Sequence, residues 1–388
     1  MRLETWLAAS ATVVLFPGAL AWPGMNKIMA ELDAKLLHTR QTDGSDNFDS
    51  NELIGDLLTV GATTAVGKQV QGVILGQIAP TTDDTYTAPG AKGSKACKAD
   101  TCCIWSYIAN DMRKKFRGGG GRCNGFARAA VRMGFHDAGS WDKWSTHGGA
   151  DGSLILAGEI SRPENNGLQD IISWTQSLYG NYSSYGISMA DTIQMAATVA
   201  AVVCPLGPRV RSYVGRKDSS VPAPDGLLPS VFASADSLLQ LFANKTIKAH
   251  GLTALVGAHS TSQQRFVDPS RAYDPQDRTP GVWDVAFYNS TLPGSPNPKR
   301  VFKFASDVVL SQHPNVSAEW NKFAGGNQDD WNEDYAREYV RLSLLGVNNI
   351  NSLTECTKVL PPANKTYVIP DKKYIDKWLA GQYPKLGP

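Results

Sequence analysis

The sequence has no long apolar run. Trp6 to Leu20 is short and mostly apolar. Neither it nor any other segment reaches the ~18–20 apolar residues that a membrane-spanning helix needs, so no membrane partner is expected. Charge of one sign is equally scarce. Lys and Arg number 38 against 36 Asp and Glu, for a net charge of +2. No block of like charge and no basic footprint stands out, which argues against nucleic acid. C-x-x-C pairs are absent, against zinc ribbons and thioredoxin-like sites. Regular strand spacing and internal repeats are missing too, so the expected class is mostly α.

Residues 1–21 read as a secretory signal, with Arg2, the apolar stretch and Ala19-Leu20-Ala21 as a small-x-small cleavage pattern. The six cysteines are Cys97, Cys102, Cys103, Cys123, Cys204 and Cys356. An even number behind a signal suggests disulfides, although spacing leaves their pairing open. N-x-S/T sequons at Asn181, Asn244, Asn289, Asn315 and Asn364 fit an exported glycoprotein. A soluble, secreted and monomeric protein is expected.

Residues 22–95 differ from the rest. Leu53 to Ile78 is weakly amphipathic and rich in Gly, Thr and Val, and Ala79 to Lys95 has linker composition. The stretch carries no motif and is expected to be a mobile extension of unknown role. From Cys97 the pattern turns helical. Helices are expected from Cys102 to Phe116, from Phe126 to His136, from Asn166 to Tyr179, from Ser188 to Cys204, from Ser234 to Phe242, from Leu252 to Arg265, and as one or two segments from Trp320 to Leu345. Ser188-Met-Ala-Asp191 resembles a capping box with Asp in place of Glu. A main domain over 96–360 and a tail over 361–388 complete the division.

Chemistry centres on Arg132-Met-Gly-Phe-His-Asp137. Arg132 and His136 are four apart, one turn along one helix face. The guanidinium keeps its proton and can stabilise developing negative charge, while the imidazole can take and return a proton. Phe135 would keep water away. Gly148-Gly-Ala-Asp-Gly-Ser153 offers Asp151 and Ser153 on glycine-hinged backbone, able with Asp137 to wrap a hard cation. Downstream, His259 in Val-Gly-Ala-His-Ser lies among small residues that let a flat ring approach. Asp277, Thr279, Asp284 and the carbonyl of Val282 form a second oxygen-rich set that Ser260 could complete. Asp307, an acid in an apolar stretch, could orient a metal-bound imidazole.

Taken together, R-x-x-F-H-D, G-G-A-D-G-S, N-x-G-L, V-G-A-H-S and D-x-T-x-x-V-x-D make the region from Cys97 to about Leu360 resemble the plant, fungal and bacterial haem peroxidase superfamily. The similarity is greatest to its secreted class II fungal group, which holds the lignin and manganese peroxidases. The resemblance implies a mostly α fold of two helical halves around one haem b, with two calcium ions. It implies that hydrogen peroxide is reduced to water while two small aromatic donors, phenolic by family default, each lose one electron.

By the same resemblance, Arg132, Phe135 and His136 form the distal pocket, with Asn165 holding the His136 tautomer and the Glu159 acid positioning Asn165. His259 is the axial iron ligand and Asp307 its hydrogen-bond partner. Asp137, Gly149, Asp151 and Ser153 match the distal calcium site. Ser260, Asp277, Thr279, Val282 and Asp284 match the proximal one. The implied disulfides are Cys97–Cys103, Cys102–Cys356 and Cys123–Cys204.

The sequence also departs from the family. Gln276 stands where an aromatic residue is usual. Gly125, Ala129 and Arg265 occupy the positions of the manganese-binding acids, so no manganese site is expected. Ala254 replaces the surface Trp of lignin peroxidases, leaving Trp141 and Trp144 as candidates for another electron route or for plain structural roles. A catalase-like haem enzyme is disfavoured by Phe135, where a distal Trp would be required. A non-catalytic, secreted calcium-binding scaffold is the alternative from another class.

Overall fold

Polar caps set where the helices begin. In the computed structural model, which describes residues 50–383, Thr64, Asp100, Asn124, Ser188 and Ser234 each accept a backbone N–H of the first turn that follows. Each such cap contributes about 1 kcal/mol. The signal-like segment 1–21 lies outside the described residues. The helices in chain order are α1 (Gly55–Thr59), α2 (Ala65–Ile74), α3 (Lys95–Lys98), α4 (Thr101–Phe116), α5 (Gly125–Gly139), α6 (Ser153–Leu156), α7 (Gln169–Tyr182) and α8 (Met189–Val203). They continue as α9 (Ala235–Ala243), α10 (Ala249–Val256), α11 (Ala286–Thr291), α12 (Ala305–Ser311), α13 (Ser317–Ala324), α14 (Gln328–Leu342) and α15 (Lys372–Leu379). One small antiparallel ladder joins β1 (Tyr213–Val214) to β2 (Thr354–Glu355), pairing Tyr213 with Glu355 and Val214 with Thr354. The expected mostly α class is what the chain adopts.

The core sits between α5 and α8. Apart from Val203, α8 is buried on every side. Gly134 lets the two axes approach, since a Cβ there would collide with Ala197 and the Tyr339 hydroxyl. The Gly134 carbonyl then accepts from Gln194 Nε2 at 3.0 Å, and Tyr339 donates to Gln194 Oε1 at 3.0 Å. A buried amide with its hydrogen bonds made thus fixes the register of the helix that carries Arg132 and His136. Ser188 caps α8 as expected, but the reciprocal half of the capping box is missing. The Asp191 carboxylate turns instead to Gly215 N, Arg216 N and the Arg216 guanidinium.

The expectation of a mobile arm fails for residues 50–78. Ile54, Leu57, Val70, Val73 and Ile74 are buried in the main core. Asp56 accepts from Ile350 N at 2.7 Å and Asn351 N at 3.1 Å, and Arg341 donates to the carbonyls of Ser50 and Glu52. These partners lie nearly 300 residues away, which is why local composition could not reveal the packing. The expected tail also folds back in part, as Ile375, Trp378 and Leu379 of α15 bury against Val301.

The structure pairs Cys97 with Cys103, Cys102 with Cys356 and Cys123 with Cys204. Cys102–Cys356 ties α4 to the segment after β2.

Candidate active site

Asn124 starts α5, and about two and three turns later Arg132 and His136 emerge on one face. Arg132 Nε donates to His136 Nε2 across 3.1 Å. The rest of the guanidinium is anchored by backbone, with Nη1 bonded to the Asn166 carbonyl and Nη2 to that of Glu164, both at 2.8 Å. Burial pulls the Arg132 pKa down to about 10, so the group stays cationic at neutral pH. Phe135 meets the His136 ring edge-on and stacks on Phe242 at 6.1 Å.

The tautomer of His136 follows from a chain of donors and acceptors. The Glu159 carbonyl can only accept, and Asn165 Nδ2 lies 2.9 Å from it. Asn165 therefore turns Oδ1 toward His136, where it sits 2.7 Å from Nδ1. Nδ1 must then carry the proton, leaving the Nε2 lone pair toward Arg132. Burial, then the Arg132 charge, hold the His136 pKa down to about 3, partly offset by the Asn165 hydrogen bond. His136 is thus held neutral, with its Nε2 lone pair accepting from Arg132 Nε.

Glu159 differs from expectation. Its main-chain oxygen positions Asn165, while its carboxylate binds Arg162 at 3.0 Å and accepts from Ala223 N at 2.8 Å. A backbone contact leaves no trace in side-chain identity. The anchoring carbonyls of Glu164 and Asn166 escaped the sequence for the same reason.

His259 lies in a tight 3-10 turn over Gly257–Thr261, not in the continuous helix expected to Arg265. Tyr288 donates its hydroxyl to the Thr253 carbonyl at 2.8 Å, and Trp331 its indole N–H to that of Ala254 at 2.9 Å. The Ala254 carbonyl also accepts the Gly257 N–H, the three-residue bond of the tighter turn. Gly257 is needed there, because a Cβ would run into Tyr288 and Trp331. His259 Nδ1 lies 2.9 Å from Asp307 Oδ2. Phe287 and Phe304 meet its ring edge-on, both at 5.6 Å. Among the described residues no hydrogen bond reaches His259 Nε2. An acid-buttressed imidazole with a free second nitrogen is the donor that an iron porphyrin needs.

Both oxygen-rich sets contain buried oxygens short of partners. Ser153 Oγ, Ser260 Oγ and Asp277 Oδ2 are buried without a hydrogen-bond partner. Burial, then the Asp151 charge, push the Asp137 carboxyl well above its usual range. Burial, then the Asp284 charge, do the same to Asp277. Thr279 Oγ1 donates to Asp284 Oδ1 at 2.9 Å, and the Thr279 carbonyl accepts from Val282 N at 3.0 Å. Gly149 holds φ +96°, and a Cβ there would strike the Leu345 carbonyl. Orphan oxygens beside crowded carboxylates are the chemistry a hard cation satisfies.

A family model described as Peroxidase matches residues 108–326. The chain is 30% identical to a peroxidase of Coprinopsis cinerea over 74% of its own length and 86% of that protein. It is equally similar, at 30%, to a peroxidase of Arthromyces ramosus over 75% of this chain and 85% of the other. It is 28% identical to Ligninase LG5 of Phanerodontia chrysosporium over 69% and 76%. The chain belongs to the peroxidase family. Haem dependence and the use of hydrogen peroxide come with that membership, and the non-catalytic scaffold is set aside.

Arg265 carries no carboxylate for manganese. Its guanidinium lies over the Tyr273 ring at 4.6 Å and donates to the Tyr273 hydroxyl at 3.1 Å. Ala254 is buried. Trp144 is 65% exposed beside Lys143, whereas Trp141 is partly buried against the core. Gln276, fully buried, donates from Nε2 to Asp307 Oδ2 at 3.2 Å, a contact that residue type alone did not announce. Among the described residues no helix is long and apolar enough to cross a membrane.

Proposed function

We propose that this peroxidase uses His136 as acid–base catalyst, Arg132 as electrostatic stabiliser and His259 as the axial ligand of haem b. The observation that carries the reading is the run from the Glu159 carbonyl through Asn165 to His136, which leaves Nε2 unprotonated beside a fixed cation. Haem, when bound, supplies the iron that receives peroxide and stores its two oxidising equivalents. His136 Nε2 is placed to take a proton from one oxygen of hydrogen peroxide and would return it to the other, so that water could leave. Arg132 stabilises the negative charge that grows on that oxygen. Phe135, braced by Phe242, shields the proton transfer from bulk water. His259 would hold the haem iron through Nε2, while Asp307 Oδ2 accepts the Nδ1 proton.

Two calcium ions would fit the sets Asp137, Gly149, Asp151 and Ser153, and Ser260, Asp277, Thr279, Val282 and Asp284, in which Ser153 Oγ, Ser260 Oγ and Asp277 Oδ2 are buried without a partner. They would brace the segments that follow the two histidines. The absence of acids at Gly125, Ala129 and Arg265 supports a small aromatic donor, phenolic in the first instance, over manganese. The signal-like residues 1–21 and three disulfides support secretion. A monomer is the expected state.

Replacing His259 by Ala tests the ligand, and loss of haem from the purified protein is expected. Unaltered haem content and iron ligation would remove His259 from the axis. A steady-state screen of phenols, an azo dye and manganese(II) tests the donor class, with turnover expected on phenols and none above background on manganese(II).

A further inference from the structure

Asp307 Oδ2 serves two donors at once. His259 Nδ1 approaches it at 2.9 Å and Gln276 Nε2 at 3.2 Å. The other oxygen, Oδ1, has only a long contact of 3.5 Å from Ser306. A carboxylate accepts and does not donate, so the Gln276 amide must present its N–H there. Its Oε1 is then left buried with no partner, in a side chain only 1% exposed. Leaving a buried acceptor unmade costs about 1–3 kcal/mol. An apolar side chain of the same length would avoid that penalty and still fill the space. The His259 ring does not need Gln276 for its orientation, because Phe287 and Phe304 already flank it. What the amide adds is a second partial positive charge on the oxygen that draws the His259 proton.

We infer that Gln276 is a positioning residue which, by sharing Asp307 Oδ2, weakens the pull of that carboxylate on His259 and makes the imidazole a poorer electron donor to iron. This rests on His259 as axial ligand. A carboxylate that accepts one strong donor pulls the imidazole toward its anionic form. Anionic character favours ferric over ferrous iron. Gln276 offsets this, so the ferric–ferrous couple sits higher than Asp307 alone would leave it. The backbone N–H of Gln276 donates to the Ser262 carbonyl at 3.3 Å, which joins the amide to the turn that carries His259.

The test uses the haem-loaded protein with Gln276→Met, which keeps length and loses the donor, and Gln276→Leu. Both should move the ferric–ferrous midpoint to more negative potential, so that at a fixed poise the ferrous-to-ferric ratio falls about tenfold. The iron–imidazole stretch of the reduced protein should rise in frequency with it. A purely structural role would move neither in this direction. If both variants keep haem on His259 and leave midpoint and stretch unchanged, the inference is overturned while the axial assignment stands. If His259→Ala leaves the ligation unaltered, both fall. Should the variants lose haem, the unaltered protein decides the matter. In its carbon monoxide-bound ferrous form, glutamine-labelled NMR should show one Gln276 amide proton shifted downfield and slow to exchange, and a free-amide signal there would overturn the sharing.

Discussion

Asn165 Oδ1 accepts the Nδ1 proton of His136 across 2.7 Å, and this contact decides which ring nitrogen keeps its lone pair. Replacing Asn165 by Val removes the acceptor and lets the proton shift to Nε2. The reaction with peroxide, read as the change in haem absorbance on rapid mixing, should slow about 10–100-fold, the usual cost of losing a partner that orients a working imidazole. Replacing Asn165 by Asp should act differently. A carboxylate favours the imidazolium, so the pH below which the rate falls should climb toward neutrality. A rate that ignores both changes would mean that the tautomer is set elsewhere.

For the unaltered protein the acid limit should lie low. The His136 pKa is lowered to about 3, by burial first and by the Arg132 charge second. The neutral form is the base, so the rate with peroxide should stay flat from pH 8 to about pH 4, whereas a histidine at its usual ~6.5 would lose tenfold per unit below that value. The stability consequence has a definite sign. An unfolded His136 takes a proton near pH 6.5 and the folded one does not. The folded state therefore loses stability as pH falls from about 6.5 toward 3, by at most about 1.4 kcal/mol per unit from this group. His136→Leu should remove that slope while slowing the reaction with peroxide by about 100–10,000-fold and retaining haem.

Side-chain chemistry was legible in the chain, and backbone chemistry was not. Arg132, His136, His259 and Asp307 announce themselves by type and spacing, and helix faces such as Ile104, Ile108 and Met112 follow the apolar period into the core. The Glu159 carbonyl, by contrast, acts through an atom every residue has. The helix expected to run to Arg265 tightens at Gly257, where Tyr288 and Trp331, distant in sequence, press against the chain. The Gln276 amide looked like a gap in an aromatic pattern until its partner was known. Residues 50–78 looked idle because the groups that bond their backbone and Asp56, from Arg341, Ile350 and Asn351, come from the far end of the chain.

Withdrawing calcium should loosen both histidine-bearing segments. The carboxyls of Asp137 and Asp277 are buried beside those of Asp151 and Asp284, and Ser153 Oγ, Ser260 Oγ and Asp277 Oδ2 have no hydrogen-bond partner. A ligand held at about 100 times its dissociation constant adds roughly 2.7 kcal/mol to the folded state. A strong chelator should therefore lower the Tm by several degrees, and added calcium should restore it. Metal analysis of the purified protein should return two equivalents. A protein that holds none, with a Tm indifferent to chelator, would contradict the assignment.

The N-terminal segment yields the sharpest contrast between neighbours. Leu57 is 1% exposed and Leu58, next to it on α1, is 70% exposed. Truncating a buried Leu costs about 2–5 kcal/mol through lost burial and the cavity left behind, whereas an exposed one stays within about 0.5 kcal/mol. Leu57→Ala should thus lower the unfolding free energy in denaturant by several kcal/mol, and Leu58→Ala should hardly change it. Asp56→Ala should act in the same sense as Leu57→Ala, because it strips the acceptor from the backbone of Ile350 and Asn351. If all three variants unfold at the same denaturant concentration as the parent, residues 50–78 are a detachable arm after all, and the peroxidase body stands without them.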